Sequence, residues 1–261
     1  MKRIIAILMA LCFVVMAFAG CSGKQTLVAE KGSAGETVAT SEESLKDYEY
    51  TAVDTQAKAL MEVSAGTADA AVVDYVMSIG SIGEGTDYEN LVVSGEGYAP
   101  ESYGIAFRKG SDFTAKVNEA IKALKDEGKL TEIGKKYKLD ALISATDSFD
   151  AFKKAETDSD YDYIMNKGEL VIGITYFAPM NYEDENGELI GFETEFAKAV
   201  CQKLGLTPKF VEINWNAKET ELAAKNIDCI WNGMTIDDER KANMSITIPY
   251  MQNKQVLVTK K

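Results

Sequence analysis

The chain has 261 residues, 46% of them hydrophobic, enough for one large domain or two small ones with real cores. Its 41 acidic residues against 28 basic ones leave a formal charge of -13, which argues against nucleic acid and anionic lipid as partners. There is no histidine, and the four cysteines form no pair at metal-binding spacing, which excludes histidine-based triads and most zinc or iron sites; no cofactor is expected.

Residues 1–20 read as an export leader, with basic Lys2 and Arg3 before the apolar run "IIAILMALCFVVMAFAG". Cys21 directly after Ala19 and Gly20 resembles a bacterial lipobox, although Phe18 stands where leucine is more usual; an ordinary secretory signal is the alternative. The expectation is a lipidated N-terminus at Cys21 with a short tether, 21–24, holding an extracytoplasmic body on the outer face of the membrane. No later segment has the roughly 20 apolar residues of a membrane span. Losing the leader removes two cations and leaves the body more acidic still, which favours solubility.

Beyond the leader, strand and helix signals alternate, the pattern of an α/β fold. "TLVAE" (26–30) is a short strand entering the turn "KGSAGE", with a helix through "TVATSEESLK" after it. "YEYTAV" is the second strand, Asp54 or Thr55 caps a helix "QAKALMEVSAG", and "DAAVVD" is the third strand. "NLVVSG" and "YGIAFRKG" follow. Ser111 or Asp112 then caps a helix whose apolar face is Val117, Ile121 and Leu124, and Gly128 interrupts it before "LTEIGKKY". The pattern weakens over 140–160, which reads as a linker with one helical turn. Next come a strand at 170–174 and a helix at 192–204 with Phe192, Phe196, Val200 and Leu204 on one stripe. The strand "KFVEIN", the helix "AKETELAAK" and the strands "DCIWN" and "QVLVT" complete the series. Cys201 and Cys229 fall in a helix and a strand, where a disulfide between them stays open.

A weak internal repeat runs through this series. "EVSAGTADAAVVD" (62–74) and "ELAAKNIDCIWNG" (221–233) align without gaps, each with a helix end, a tight turn, an Asp and a strand. In open sheets ligands bind beyond the strands' C-terminal ends, so two such units facing each other would make a cleft.

Three stretches carry a specific likeness: "GELVIGITYFAPMNYEDENGELIGFETEFAKAV", "NIDCIWNGMTIDDERKANMSITIPY" and "YGIAFRKGSDFTAKVNEAIKALKDEGKLTEIGKKY". They resemble bacterial extracellular solute-binding proteins of family 3, the amino-acid-binding components of ABC transporters, over nearly all of 25–139 and 161–261. The resemblance implies an α/β, two-lobed, type II periplasmic-binding-protein-like fold with a hinge. It further implies a monomer that binds a free amino acid, a polar or charged one, and delivers it to ABC permease subunits, with no catalysis. In that family the "GELVIGI" piece comes first and the "YGIAFRKG" piece last, so this chain reads as a circular permutant. Residues 25–97 with 254–261 would form the smaller lobe, 98–102 and 251–253 the hinge crossings, and 103–250 the larger lobe, with the joining linker at about 140–160. Such rejoining is tolerated where termini are exposed and close together.

The resemblance also implies the site. Arg240 would grip the ligand carboxylate as a planar fork, where otherwise it would be a surface partner of Asp237, Asp238 and Glu239. Thr235 would add an amide and a hydroxyl, and Gly233 would allow close approach and offer its carbonyl to the ammonium. Ser33 and Ala34, opening a helix, have the geometry for an anion, although most glycine-rich turns are only turns. Asp74 would take the ammonium; read alone it is as well a helix N-cap. Phe177 and Trp215 would flank the ligand side chain, or else pack as core. Trp231, Asn232, Gln252 and Tyr176 could line a polar pocket. The family often has an acid after the "VIG" strand, where Thr175 and Tyr176 stand here. Rival readings are a ligand-sensing lipoprotein and, because the family likeness extends to cyclohexadienyl dehydratases, an eliminating enzyme with Glu36 or Glu219 as its acid.

Overall fold

Two mixed sheets divide the chain between them. The computed structural model describes residues 23–98, 100–144 and 148–261, so the expected leader and the lipidation of Cys21 lie outside the described residues. The first run of elements is β1 (Thr26–Glu30), α1 (Ala34–Ser41), β2 (Glu49–Val53), α2 (Gln56–Ala65), β3 (Ala70–Asp74), α3 (Tyr75–Ser81), β4 (Leu91–Ser94) and β5 (Pro100–Tyr103). Then come β6 (Ala106–Arg108), α4 (Phe113–Asp126), α5 (Lys129–Lys136), α6 (Asp160–Lys167), β7 (Glu169–Ile174), β8 (Tyr182–Glu183) and β9 (Leu189–Ile190). The chain finishes with α7 (Phe192–Leu204), β10 (Thr207–Glu212), α8 (Lys218–Ala223), β11 (Cys229–Ile230), α9 (Asp238–Asn243), β12 (Met244–Ile246) and β13 (Met251–Lys260).

The first sheet has the order β2-β1-β3-β13-β4 with β5 also on β13, and the second has the order β10-β7-β11-β6-β12. In each, three parallel strands are followed by an antiparallel fourth: β13 lies against β3, and β6 against β11. In both sheets that fourth strand comes from a distant part of the chain. The two-lobed α/β arrangement expected from the sequence is the one found.

The internal repeat occupies equivalent places in the two sheets, and its matched residues have matched work. Asp69 and Asp228 each accept the N–H of the neighbouring strand, from Thr26 at 2.7 Å and from Val171 at 2.8 Å. Glu62 and Glu221 each receive a backbone N–H from the turn that follows, from Thr67 at 3.0 Å and Asn226 at 3.1 Å. Thus the repeat's Glu and Asp build the helix-to-strand turn, and the site positions are the ones that end it, Asp74 and Gly233.

The chain passes between the sheets from β5 to β6 and from β12 to β13. These crossings run side by side, since β5 pairs antiparallel with the first half of β13 in the register Tyr103 to Met251 and Pro100 to Lys254. That pairing extends the strand expected at 255–259 to ten residues.

Other departures have local causes. The helix expected through Lys46 stops at Ser41, because Glu42 turns extended while its N–H still bonds the carbonyl of Val38. Asp112 stands at the N-cap position of α4 without capping it. Its carboxylate instead accepts from Ala155 N–H (2.9 Å), Ser159 Oγ (2.7 Å) and Tyr161 N–H (2.9 Å), which ties the far end of the 140–160 segment to α4. The helix α6 was not foreseen; Ser159 caps it and Gly168, at φ +73°, ends it. Phe192, Phe196 and Val200 of the expected stripe are wholly buried, and Trp231 meets Phe196 edge-on at 5.0 Å. Cys201 and Cys229 are buried and free, so the disulfide left open by the sequence is not made.

Candidate ligand-binding cleft

β1 and β3 end at Glu30 and Asp74, and β11 runs on into Asn232 and Gly233; one cavity lies between these strand ends. Its walls are Glu30, Ser33, Ala34, Gln56 and Asp74 on the first sheet's side and Trp215, Asn232, Gly233, Thr235 and Arg240 on the second's. The closed cavity has room for roughly one water molecule. Anything larger enters only when the walls part.

Of the residues the sequence singled out, Ser33, Ala34, Asp74, Trp215, Gly233, Thr235 and Arg240 are brought together in this cavity. Phe177 is not among its lining residues and stands behind the wall. Gly233 has φ +54°, and a Cβ there would lie 2.9 Å from Cζ of Phe177 and 3.2 Å from Tyr103, so a side chain fits neither backbone nor space. Its N–H is spent inward on Glu193 Oε1 at 2.7 Å.

Arg240 is placed by a local cap. Asp237 N-caps α9 by accepting the Arg240 N–H at 2.7 Å, which turns the guanidinium back over the preceding loop. Nη1 then donates to the Thr235 carbonyl at 2.8 Å, and Nη2 reaches across the cleft to the Gly32 carbonyl at 3.3 Å. Nε meets Asp237 at 3.3 Å, so the surface ion pair describes one edge of a side chain that is otherwise buried. Lys218 crosses in the same way, donating to the Gly32 carbonyl at 3.0 Å and to that of Trp215 at 3.3 Å, with its ammonium 4.8 Å over the Trp215 ring.

On the facing wall Ser33 caps α1, accepting from Glu36 N–H at 3.2 Å while its own hydroxyl donates to the Glu30 carbonyl at 2.7 Å. Glu36 accepts from Gly32 N–H at 2.6 Å and from the Tyr50 hydroxyl at 3.0 Å, which leaves it a structural role at the loop. Asp74 precedes α3 but makes no side-chain cap. Its carboxylate receives the side-chain amides of Gln56, Asn253 and Gln255, and Gln56 Oε1 accepts the Asp74 N–H at 2.8 Å. The N-cap alternative for Asp74 is therefore replaced by a buried amide cradle.

Glu30 and Gln56 are cavity residues that the sequence reading missed. Glu30 ends its strand as Asp74 does, and the same strand-end rule could have found it. Asn232, one of four residues named for a polar pocket, does line the cavity and donates to Thr175 Oγ1 at 2.6 Å. Trp231 lies in the core, Gln252 bridges Ser102 and Ser144 at the surface, and Tyr176 is exposed.

Carboxyl groups in the cavity wall and behind it shift together. Burial, then the charge of Asp74, pushes Glu30 up to about 8 and Glu101 up to about 7. Burial raises Asp74 as well, against its amide donors. Lys218 is lowered to about 8 by burial and then by the charge of Arg240.

A cavity shut between two α/β sheets, with a guanidinium on one wall and carboxylates on the other, defines a two-walled binding cleft. Residues 170–261 match the family of bacterial extracellular solute-binding proteins, family 3. The chain is similar to the probable amino-acid ABC transporter-binding protein of Haemophilus influenzae, at 34% identity over 46% of each chain. It is also similar to the L-cystine-binding protein TcyJ of Escherichia coli, at 28% identity over 51% of this chain and 50% of that one. The chain thus spans about half the length of the curated relatives it matches. Among solved structures, the arginine-bound Phe57Trp mutant of domain 1 from TmArgBP matches 38% of this chain and 84% of its own, at 32% identity and a TM-score of 0.34.

Proposed function

We propose that this chain captures a free amino acid outside the cytoplasm by closing its two lobes on the zwitterionic head, and passes it to the permease of an ABC importer. The observation that carries the reading is the cavity itself, in which a buried guanidinium on one wall faces the start of α1 and a buried carboxylate on the other, across the gap between sheets. Arg240, Thr235 and the first amides of α1 beside Ser33 and Ala34 suit a carboxylate. Asp74 and the carbonyl side of Gly233 suit an ammonium, with Trp215 as the apolar wall. The amino-acid-binding relatives support the same ligand class. The paired crossings at β5 and β13 would be the hinge, Cys21 the lipid anchor and the monomer the working form. The rotated chain order, joined through about 140–160, belongs to the same proposal; the family match over 170–261 and the completion of the first sheet by β13 support it.

The test is a thermal-shift screen of the purified chain against the free L-amino acids. Ligand that binds only the folded form raises Tm by mass action, by about 2.7 kcal/mol of stabilisation at a hundredfold excess over Kd. At least one amino acid is expected to produce a shift, and Arg240→Ala to lose it while its ligand-free transition stays cooperative. A full shift in Arg240→Ala removes that residue from the site. Prephenate and arogenate are expected to be recovered unchanged; their conversion would replace capture with elimination.

A further inference from the structure

A zwitterion held in this way leaves one acceptor of the cavity wall unused. Asp74 is already cradled by three side-chain amides, but Glu30 is not: it is 3% exposed, it lines the cavity, and its Oε1 has no hydrogen-bond partner among the described residues. A bare buried acceptor costs about 1–3 kcal/mol, and more when charged. The nearby cations give it no hydrogen bond. Lys218 donates to the carbonyls of Gly32 and Trp215, Arg240 to those of Thr235 and Gly32, and neither forms an ion pair with Glu30.

We infer that Glu30 receives a positively charged ligand side chain, so that the cavity selects basic amino acids over neutral and acidic ones. The inference rests on the amino-acid reading above and narrows it. With the carboxylate at Arg240 and the ammonium at Asp74, the side chain must leave toward the remaining wall, where Glu30 and the Trp215 face stand. A neutral polar side chain could satisfy Oε1, but only a cation also balances two neighbouring carboxylates, Glu30 and Asp74. An acidic one would place a third negative charge beside them.

The geometry has a second consequence. Burial and the charge of Asp74, opposed by Lys218, hold the Glu30 carboxyl at about 8, so in the ligand-free cavity at neutral pH it keeps its proton. A ligand cation placed against it lowers that value and drives the proton into solution. Binding of a basic amino acid therefore releases a proton, and binding of its uncharged isostere does not.

The experiment is titration calorimetry of the full chain with L-arginine, L-citrulline, L-lysine, L-glutamine and L-glutamate, each in two buffers of different ionisation heat at pH 7. The expected result is that arginine or lysine binds about 10- to 150-fold more tightly than citrulline and glutamine, the factor for one charge-assisted contact. Proton release should accompany the basic ligands alone. Glu30→Gln is expected to erase both the preference and the proton release. Its ligand-free Tm, equal to or above that of the parent, shows that the fold is kept. Tightest binding by a neutral or acidic amino acid overturns the inference and leaves the capture reading standing. So does a preference that survives Glu30→Gln. Binding of no amino acid at all overturns both.

Discussion

Gly80 offers a perturbation that acts only on closure. It lies in the last turn of α3 on the first lobe, and a Cβ built there would stand 2.8 Å from Pro179 Cδ, 3.0 Å from Pro179 N and 3.3 Å from the Ala178 carbonyl carbon, on the loop after β7. None of these atoms is the end of a flexible side chain. The ring is fused to its backbone, so the contact is relieved by moving one lobe against the other. Within α3 itself alanine is the better residue, by about 1 kcal/mol. Overpacking costs about 1–3 kcal/mol, and here it is charged to the closed form alone. Gly80→Ala should therefore weaken ligand affinity about 5- to 150-fold while leaving the ligand-free Tm unchanged or slightly raised. Calorimetry and thermal melts of the same preparation measure the two quantities. Affinity within a factor of two of the parent refutes the reasoning. A ligand-free Tm lowered by several degrees does too, since the contact would then lie within one rigid body.

Gly233→Ala should cost the left-handed strain of about 1–2 kcal/mol plus the collision with Phe177, whereas Gly205→Ala, with open space around its Cβ, should cost the strain alone; chemical denaturation compares them. Asp228 and Asp69 hold equivalent turns, but Asp228 is wholly buried against Lys167 and Arg108. Asp228→Asn should lose about 3–5 kcal/mol and exposed Asp69→Asn about 1 kcal/mol or less, read from denaturant midpoints. Glu30, Glu101 and Glu193 have raised values of about 8, 7 and 7, so the folded state binds more protons than the unfolded. Their stabilising share is full below about pH 4.5 and is lost as pH rises through 7–8, by up to about 1.4 kcal/mol per pH unit for each group. Tm should therefore climb as pH falls from 8 toward 5, and Glu193→Gln should flatten the slope. Burial pushes the Cys201 thiol up to about 12 and Cys229 well above its ordinary value, so neither should react with an aromatic disulfide reagent until the protein unfolds.

Sequence patterns revealed what is local. The repeat placed Asp74 and Gly233 at equivalent strand ends, but their roles and that of Arg240 came from the family resemblance, and the Asp237 cap that fixes Arg240 went unread. The repeat was legible because its Glu and Asp solve the same turn twice. What stayed hidden depends on distant partners. Glu30 reads as the end of a short strand before a polar turn, and its burial shows only once the wall from Trp215 to Arg240, almost two hundred residues on, covers it. Asp74 reads as a cap because its amide donors Asn253 and Gln255 arrive on β13. The helix α6 carried its own cap and stop signals, but its buried side chains are only Asp160 and Ile164, so no apolar stripe announced it. Phe177 was placed in the site on resemblance, and the missing side chain of Gly233 is what lets its ring close up behind the wall instead.

The polar contacts that cross the cleft explain why a ligand should be needed to keep it shut. Away from the crossings, Arg240 and Lys218 both reach for a single acceptor, the Gly32 carbonyl. Hydrogen bonds from charged donors are worth about 1.5–3 kcal/mol each, yet two cations on one carbonyl repel one another, and Lys218 is lowered to about 8 in part by the charge of Arg240. Closure without ligand is therefore weakly held. A carboxylate entering at the start of α1 gives both cations a shared anion in place of the one carbonyl, and an ammonium at Asp74 compensates a carboxylate that burial disfavours. About 5.5 kcal/mol of differential affinity moves a two-state equilibrium from about 1% to about 99%. Two or three such contacts formed only in the closed state supply that amount. In the proposed closure the two sheets present their strand ends to each other, and the paired crossings at β5 and β13 would be the hinge on which the lobes part.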